Sequence, residues 1–245
     1  MKGKITPNSS LPSMIRHILL DIDGTLTKDR NTEALEPEAI AAIQEAVSKY
    51  VIGLVTGNAL IVTQALARYI GLPRGSPLIA ENGCILEYKG EVHELCKDMN
   101  LREVALKLMH AIPGLRPTYQ FNYRKFDITL WAPSDPHELV NVVIKELSKM
   151  GLTNSIRVSH SGYALHLQPV GSSKSVAVKY LCKLMNVNCN EVVYIGDSDT
   201  DLDVMDVVGY GVAVANATDE LKKRAKIVLS KPSGLGVAEF LRRYI

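Results

Sequence analysis

The stretch Ile18-Leu19-Leu20-Asp21-Ile22-Asp23-Gly24-Thr25 decides the fold. Its apolar run reads as a buried strand, and two carboxylates stand two residues apart at the carboxyl end. Side chains alternate along a strand, so Asp21 and Asp23 share a side while Ile22 turns back to the core. Gly24 then permits a sharp turn. Two adjacent acids repel each other and lose solvation, a cost that a bound divalent cation relieves. Taken alone, the same letters also read as a solvated turn with Asp as punctuation.

Outward from this stretch the chain repeats a rhythm. Pro37 to Val47 has proline at a first-turn position and helical apolar spacing. Val51 to Val55 reads as a buried strand ending in Thr56-Gly57-Asn58, followed by a helix over 59–70 and a short strand at Leu78-Ile79-Ala80. Strand and helix in alternation predict a parallel sheet with right-handed crossovers. From 84 to 167 the pattern changes to strand pairs, 115–120 with 126–131 and 156–159 with 163–167, with helices over 100–111 and 135–150. The turn His160-Ser161-Gly162 joins the second pair. The parallel rhythm resumes with a helix over 173–186, a strand at Val192 to Ile195, a helix after Asp199, a strand at 211–214 and a closing helix over 237–244. The expected architecture is α/β. A Rossmann-like parallel-sheet core over 14–83 and 168–245 carries an inserted α+β cap over 84–167, behind a loose tail over 1–13.

Composition limits the alternatives. At 245 residues, 47% apolar and 22% charged, the chain can bury a full core. A net charge of +2 and the lack of a long Lys/Arg run give no case for nucleic acid. Every apolar run is too short to span a membrane. The basic Met1-Lys2-Gly3-Lys4 runs into polar Pro7-Asn8-Ser9-Ser10 where a signal peptide would be apolar, so a cytoplasmic location is expected. Cys84, Cys96, Cys182 and Cys189 show neither C-x-x-C nor zinc spacing and are expected to be reduced. Spacing alone leaves disulfides open.

Four motifs fall at strand ends or helix starts, where open α/β sheets bind ligands. They are Asp21-x-Asp23, Thr56-Gly57-Asn58, Lys174 and Gly196-Asp197-Ser198-Asp199-Thr200-Asp201. Together, in this order, they resemble the haloacid dehalogenase superfamily of phosphotransferases across the whole core. The resemblance implies that Asp21 is a nucleophile forming an aspartyl-phosphate and Asp23 a general acid and base. Members that cleave carbon–halogen bonds use only the first acid, so the pair favours phosphoryl transfer. Thr56 matches the hydroxyl that donates to the transferring phosphoryl, with the Gly57 and Asn58 amides as further donors. A plain helix N-cap is the other reading of Thr56. Lys174 matches a lysine that pairs with nucleophile and phosphate. Asp197 and Asp201 match acids that complete a Mg2+ site with Asp21 and the Asp23 carbonyl, Asp201 directly or through water. Asp199, Asp203 and Asp206 fit acids complementing a helix N-terminus. An EF-hand reading fails at Leu202 and Val208.

Spacing also locates the cap. Only one helix fits between Asp21 and Thr56, whereas roughly 115 residues separate Asn58 from Lys174. This placement resembles the second cap type of the superfamily, in which small-molecule phosphatases dominate. Asn58, Glu81-Asn82-Gly83, Ser161-Gly162-Tyr163 leading to His166-Leu167, and Ala213 to Ala217 are similar to the archaeal-type phosphoglycolate phosphatases. Thr200 and Ser175 depart from that pattern. The implied substrate is a small phosphorylated metabolite, 2-phosphoglycolate first. A sugar phosphate or mannosyl-3-phosphoglycerate, transfer to an alcohol, and a non-catalytic phosphate-binding module remain alternatives. Arg124 and His166 are candidate substrate contacts; surface charge and a solvated strand position are their competing readings. The branch often forms homodimers, although no segment here marks an interface.

Overall fold

A computed structural model describes residues 15–131, 136–161 and 164–245. The expected tail over 1–13, and Gly162 and Tyr163 at the turn and start of an expected strand, lie outside them. The first half-core runs β1 (His17–Leu20), α1 (Pro37–Ala46), β2 (Val51–Val55), α2 (Leu60–Ile70), β3 (Leu78–Ala80), β4 (Ile85–Tyr88) and β5 (Glu91–Glu94). The middle runs α3 (Leu101–Ala111), β6 (Arg116–Pro117), β7 (Ile128–Trp131), α4 (Pro136–Lys149), β8 (Ile156–His160) and β9 (Leu165–Pro169). The chain then returns through α5 (Lys174–Met185), β10 (Val192–Gly196), α6 (Leu202–Met205), β11 (Tyr210–Ala213), α7 (Asp219–Arg224), β12 (Ile227–Val228) and α8 (Ser233–Arg243).

The core sheet has the order β12-β11-β10-β1-β2-β3-β4-β5. Its first six strands are parallel, and β4 and β5 add an antiparallel edge. Ile18, Leu19 and Leu20 are buried, as a central parallel strand covered on both faces requires. In α1 the buried residues Ala39, Ala42, Ile43 and Ala46 form one stripe, which seats the helix on this sheet. Because β1 lies between β10 and β2, the chain reverses its winding direction there. The carboxyl ends of β1, β2 and β10 open into the crevice of the switch point.

The smaller sheet has the order β6-β7-β9-β8, all antiparallel. Ile128, Leu130, Leu165 and Leu167 pack with residues of α3 and α4 on one face. Thr129, His166 and Ser159 stand in register across β7, β9 and β8 on the other.

Three expectations need correction. Strand membership moves residues 85–94 from the cap into the core sheet. Lys89 and Gly90 both have positive φ, 52° and 84°, which closes a tight hairpin and returns β5 along β4. The expected strand over 115–120 shrinks to Arg116–Pro117, because the chain turns at Thr118 and carries Gln120 and Phe121 inward. The cysteines are paired rather than reduced. The β4–β5 hairpin brings Cys84 and Cys96 to a Cα separation of 4.9 Å, and the end of α5 brings Cys182 and Cys189 to 5.7 Å, both within bridging range.

Candidate active site

The strand ends assemble the site. The Asp21 amide donates to Ile195 O at 3.0 Å, which prolongs the β1–β10 pairing by one residue and sets Asp21 beside Asp197. The Ile22 carbonyl then accepts the amides of Thr25, Leu26 and Thr27, a turn that leaves Ile22 buried and Asp23 at the exposed mouth. Gly24 is required at this turn. Its φ is +83°, and a Cβ there would collide with the Asp197 carboxylate.

Asp21, Asp197 and Asp201 are buried, with one carboxylate oxygen from each lying within 4.8 Å of the others. Lys174, the first residue of α5, lies among them and is only 3% exposed. Its Nζ donates to Asp21 Oδ1 at 2.6 Å and to Asp201 Oδ1 at 2.7 Å. Burial by itself lowers an ammonium pKa, but Asp201 and Asp21 outweigh it and hold Lys174 above its ordinary value. Gly83 lets α5 begin this close to the site, since a Cβ there would collide with the Ser173 carbonyl.

The three acids carry different loads. Asp201 Oδ1 also accepts the Tyr194 hydroxyl, and its Oδ2 accepts the Asp197 and Ser198 amides at 3.1 Å each. Burial works to raise its pKa, yet Lys174 and these donors hold it below the usual range. Asp21 is raised well above that range, first by burial, with Asp201 and Asp197 adding to the shift against Lys174. Asp197 is pushed up to about 6 by burial and by Asp201, even with Arg30 Nε 2.7 Å from its Oδ2. An all-oxygen set of three carboxylates set against the two cations Lys174 and Arg30 suits a hard divalent cation. Asp21 and Asp197 would hold it, because Asp201 already spends both oxygens.

Thr56 is fully buried and is not a helix N-cap, since α2 starts at Leu60 after Ala59. Its Oγ1 accepts the Asn58 amide at 3.1 Å and Asn58 Nδ2 at 2.9 Å. With both lone-pair directions taken, its O–H is the group it offers to a ligand. Asn58 Nδ2 also donates to Asp23 Oδ2 at 2.9 Å. Surrounding protein desolvates Asp23 and raises its pKa, and Asn58 partly opposes the shift. Gly57 lies against Asn82, whose side-chain amide nitrogen and oxygen stand where a Gly57 Cβ would touch them.

Arg124 is not surface charge. It is 5% exposed and donates from Nη1 to Gly57 O at 2.7 Å and to Asp127 O at 3.1 Å. Nor is His166 a freely solvated strand residue, because its Nδ1 lies 3.0 Å from both oxygens of buried Asp127. Burial works to raise Asp127, but His166, Arg124 and Asn82 together hold it below the usual carboxylate range. The structure thus brings Arg124 to the back of the Thr56–Asn58 loop and joins His166 to that loop through Asp127 and Asn82. Asp199, Asp203 and Asp206 turn away to Thr218, the Ser175 amide and Arg224.

Sequence reading missed Asp127, Gln120, Tyr194 and Arg30, and it marked Glu81 only as part of a family-like turn. Glu81 is buried and accepts the amides of Lys125, Phe126 and Asp127, tying the core turn to the cap. A signal existed for Tyr194: a phenol inside an otherwise apolar strand needs a partner for its hydroxyl. No sequence pattern marked Gln120 or Asp127, whose contacts to Asn58 and His166 span 62 and 39 residues.

The fold sets this acid-rich crevice at the switch point of an α/β sheet, where such sheets bind ligands. The family of haloacid dehalogenase-like hydrolases matches residues 18–112 and 119–241, and the chain belongs to it. It is 37% identical over 224 residues to a phosphoglycolate phosphatase of Pyrobaculum islandicum, covering 91% of this chain and 92% of that one. A phosphoglycolate phosphatase of Metallosphaera sedula is 38% identical over 229 residues, covering 93% and 98%. Among solved structures, protein 0175 of Thermoplasma acidophilum superposes with a TM-score of 0.81 at 26% identity, covering 94% and 98%. No helix among the described residues is long and apolar enough to cross a membrane.

Proposed function

We propose that this hydrolase is a cytoplasmic phosphatase that cleaves a small phosphomonoester through an aspartyl-phosphate on Asp21, with 2-phosphoglycolate as its substrate. One observation carries the reading. Asp21 is buried beside Lys174 and two further acids, while Asp23 sits at the mouth on the amide that also bonds Thr56. Lys174 keeps Asp21 oriented and offsets the charge that an incoming phosphate adds. The Thr56 hydroxyl and the Gly57 amide donate to the phosphoryl oxygens, while the Asn58 amide stays on Thr56 Oγ1. In the first step an Asp21 oxygen forms a bond to phosphorus, the bond from phosphorus to the leaving oxygen breaks, and Asp23 gives that oxygen its proton. In the second step Asp23 takes a proton from water, the water oxygen bonds to phosphorus, and the Asp21–phosphorus bond breaks. Mg2+ held by Asp21, Asp197 and the Asp23 carbonyl, with Asp201 behind them, would neutralise charge on the phosphoryl oxygens.

The relatives' names support a substrate with a second anionic group, and buried Arg124 sets a positive charge behind the Thr56–Asn58 loop. His166, on the polar face of the cap sheet, adds a polar ring on the side that reaches the loop through Asp127 and Asn82. The test is a panel of phosphorylated metabolites ranked by kcat/KM with Mg2+ present. Phosphoglycolate should rank first. A sugar phosphate or a phosphoglycerate ester at the top would replace the substrate and keep the class.

A further inference from the structure

Asp23 has to present a proton to the leaving oxygen, and what aims it starts in the cap. A backbone N–H can only donate, and that of Ala59 points at Gln120 Oε1, 2.7 Å away. Arg124 Nη2 donates to the same oxygen at 3.3 Å. With the oxygen assigned, the other end of the amide is a donor, and Gln120 Nε2 lies 2.6 Å from Asn58 Oδ1. That contact fixes Asn58 in turn, because its oxygen must face Gln120 and its Nδ2 must face Asp23 Oδ2 and Thr56 Oγ1. Gln120 is 4% exposed, so water does not substitute for it readily.

We propose that Gln120 is a positioning residue: acting through Asn58, it sets from the cap both the carboxyl orientation of Asp23 and the direction of the Thr56 hydroxyl. The inference rests on the phosphatase reading above. Holding Asp23 by Oδ2 leaves Oδ1 to carry the proton toward the leaving oxygen. Filling both lone pairs of Thr56 keeps its O–H aimed at the phosphoryl group. Reversing the polarity of the first amide reverses the second, since a carboxylate in place of Gln120 accepts from both oxygens. Asn58 would then turn its Nδ2 toward the cap and its oxygen toward Asp23 and Thr56. The acid would lose its anchor, and the threonine would spend its hydrogen on Asn58.

Gln120→Glu tests this, because it keeps the shape and the contacts to Ala59 and Arg124 and inverts only the relay. The readout is kcat/KM with Mg2+ for phenyl phosphate and for 4-nitrophenyl phosphate, which differ in how far the leaving oxygen needs a proton. The expected result is that the variant loses about tenfold more on phenyl phosphate than on the nitrophenyl ester, a part of what general acid catalysis contributes. Equal losses on the two esters, or none, would overturn the relay. Gln120→Met keeps the volume and removes both amide groups, and it must show the same selective loss should the glutamate variant not fold. No turnover of either ester by the unmodified protein would instead strike the phosphatase reading on which the relay depends.

Discussion

Replacing Lys174 with methionine removes the one ammonium that sits between two buried acids. The Nζ lies 2.6 Å from Asp21 and 2.7 Å from Asp201, and these side chains are 3%, 7% and 0% exposed. At an effective dielectric of about 20, each contact is a gross attraction of about 6 kcal/mol. Desolvation offsets most of that, so the expected cost is the about 3–5 kcal/mol of leaving buried charge unpaired. The assay is guanidinium unfolding followed by circular dichroism in chelator at pH 7.5, extrapolated to water. The sign of the pH dependence follows from the acids. Without Lys174, Asp21 and Asp201 take up protons more readily folded than unfolded, so the variant regains stability as pH falls toward 5. A loss under about 1 kcal/mol at pH 7.5, or an equal loss at pH 5, would refute the reasoning.

Other expectations follow from the same contacts. Asp127 has its pKa held low, so its stabilising contribution is present at neutral pH and fades as pH falls below the ordinary carboxylate value. Asp127→Asn should therefore destabilise the protein at pH 7 and do so progressively less as pH falls below the ordinary carboxylate value, as unfolding curves over a descending pH series would show. Asp197, with its folded pKa raised to about 6, works the other way: metal-free protein should lose stability as pH rises from 4 through 6, and Asp197→Asn should remove that part of the slope. Reducing the Cys84–Cys96 bridge opens a 12-residue separation and should cost about 3 kcal/mol on a chain-entropy estimate, readable as a lower guanidinium midpoint in Cys84→Ser/Cys96→Ser.

Much of the site is written in the sequence because its parts sit at element ends. Asp21, Asp197 and Lys174 follow from where β1 and β10 stop and α5 starts, and apolar runs mark those boundaries. Arg124 was illegible for the opposite reason. Its loop reads as exposed, and its burial depends on Gly57, 67 residues away. The β4–β5 hairpin carried its own alternation and a Lys-Gly turn, yet the change of rhythm at 84 assigned it to the cap. That strand edge also explains the cysteines. Cys84 and Cys96 meet only because the hairpin folds back, as the Leu95 amide donating to Cys84 O shows.

The proposed nucleophile is Asp21, the residue that would bond to phosphorus. An acyl-phosphate is reduced by borohydride to an alcohol, which would turn the phosphorylated aspartate into homoserine. Steady-state turnover with Mg2+ and phosphoglycolate, quenched into borohydride and mapped by peptide mass spectrometry, should place homoserine at position 21. Homoserine at position 23, or none under active turnover, would contradict it.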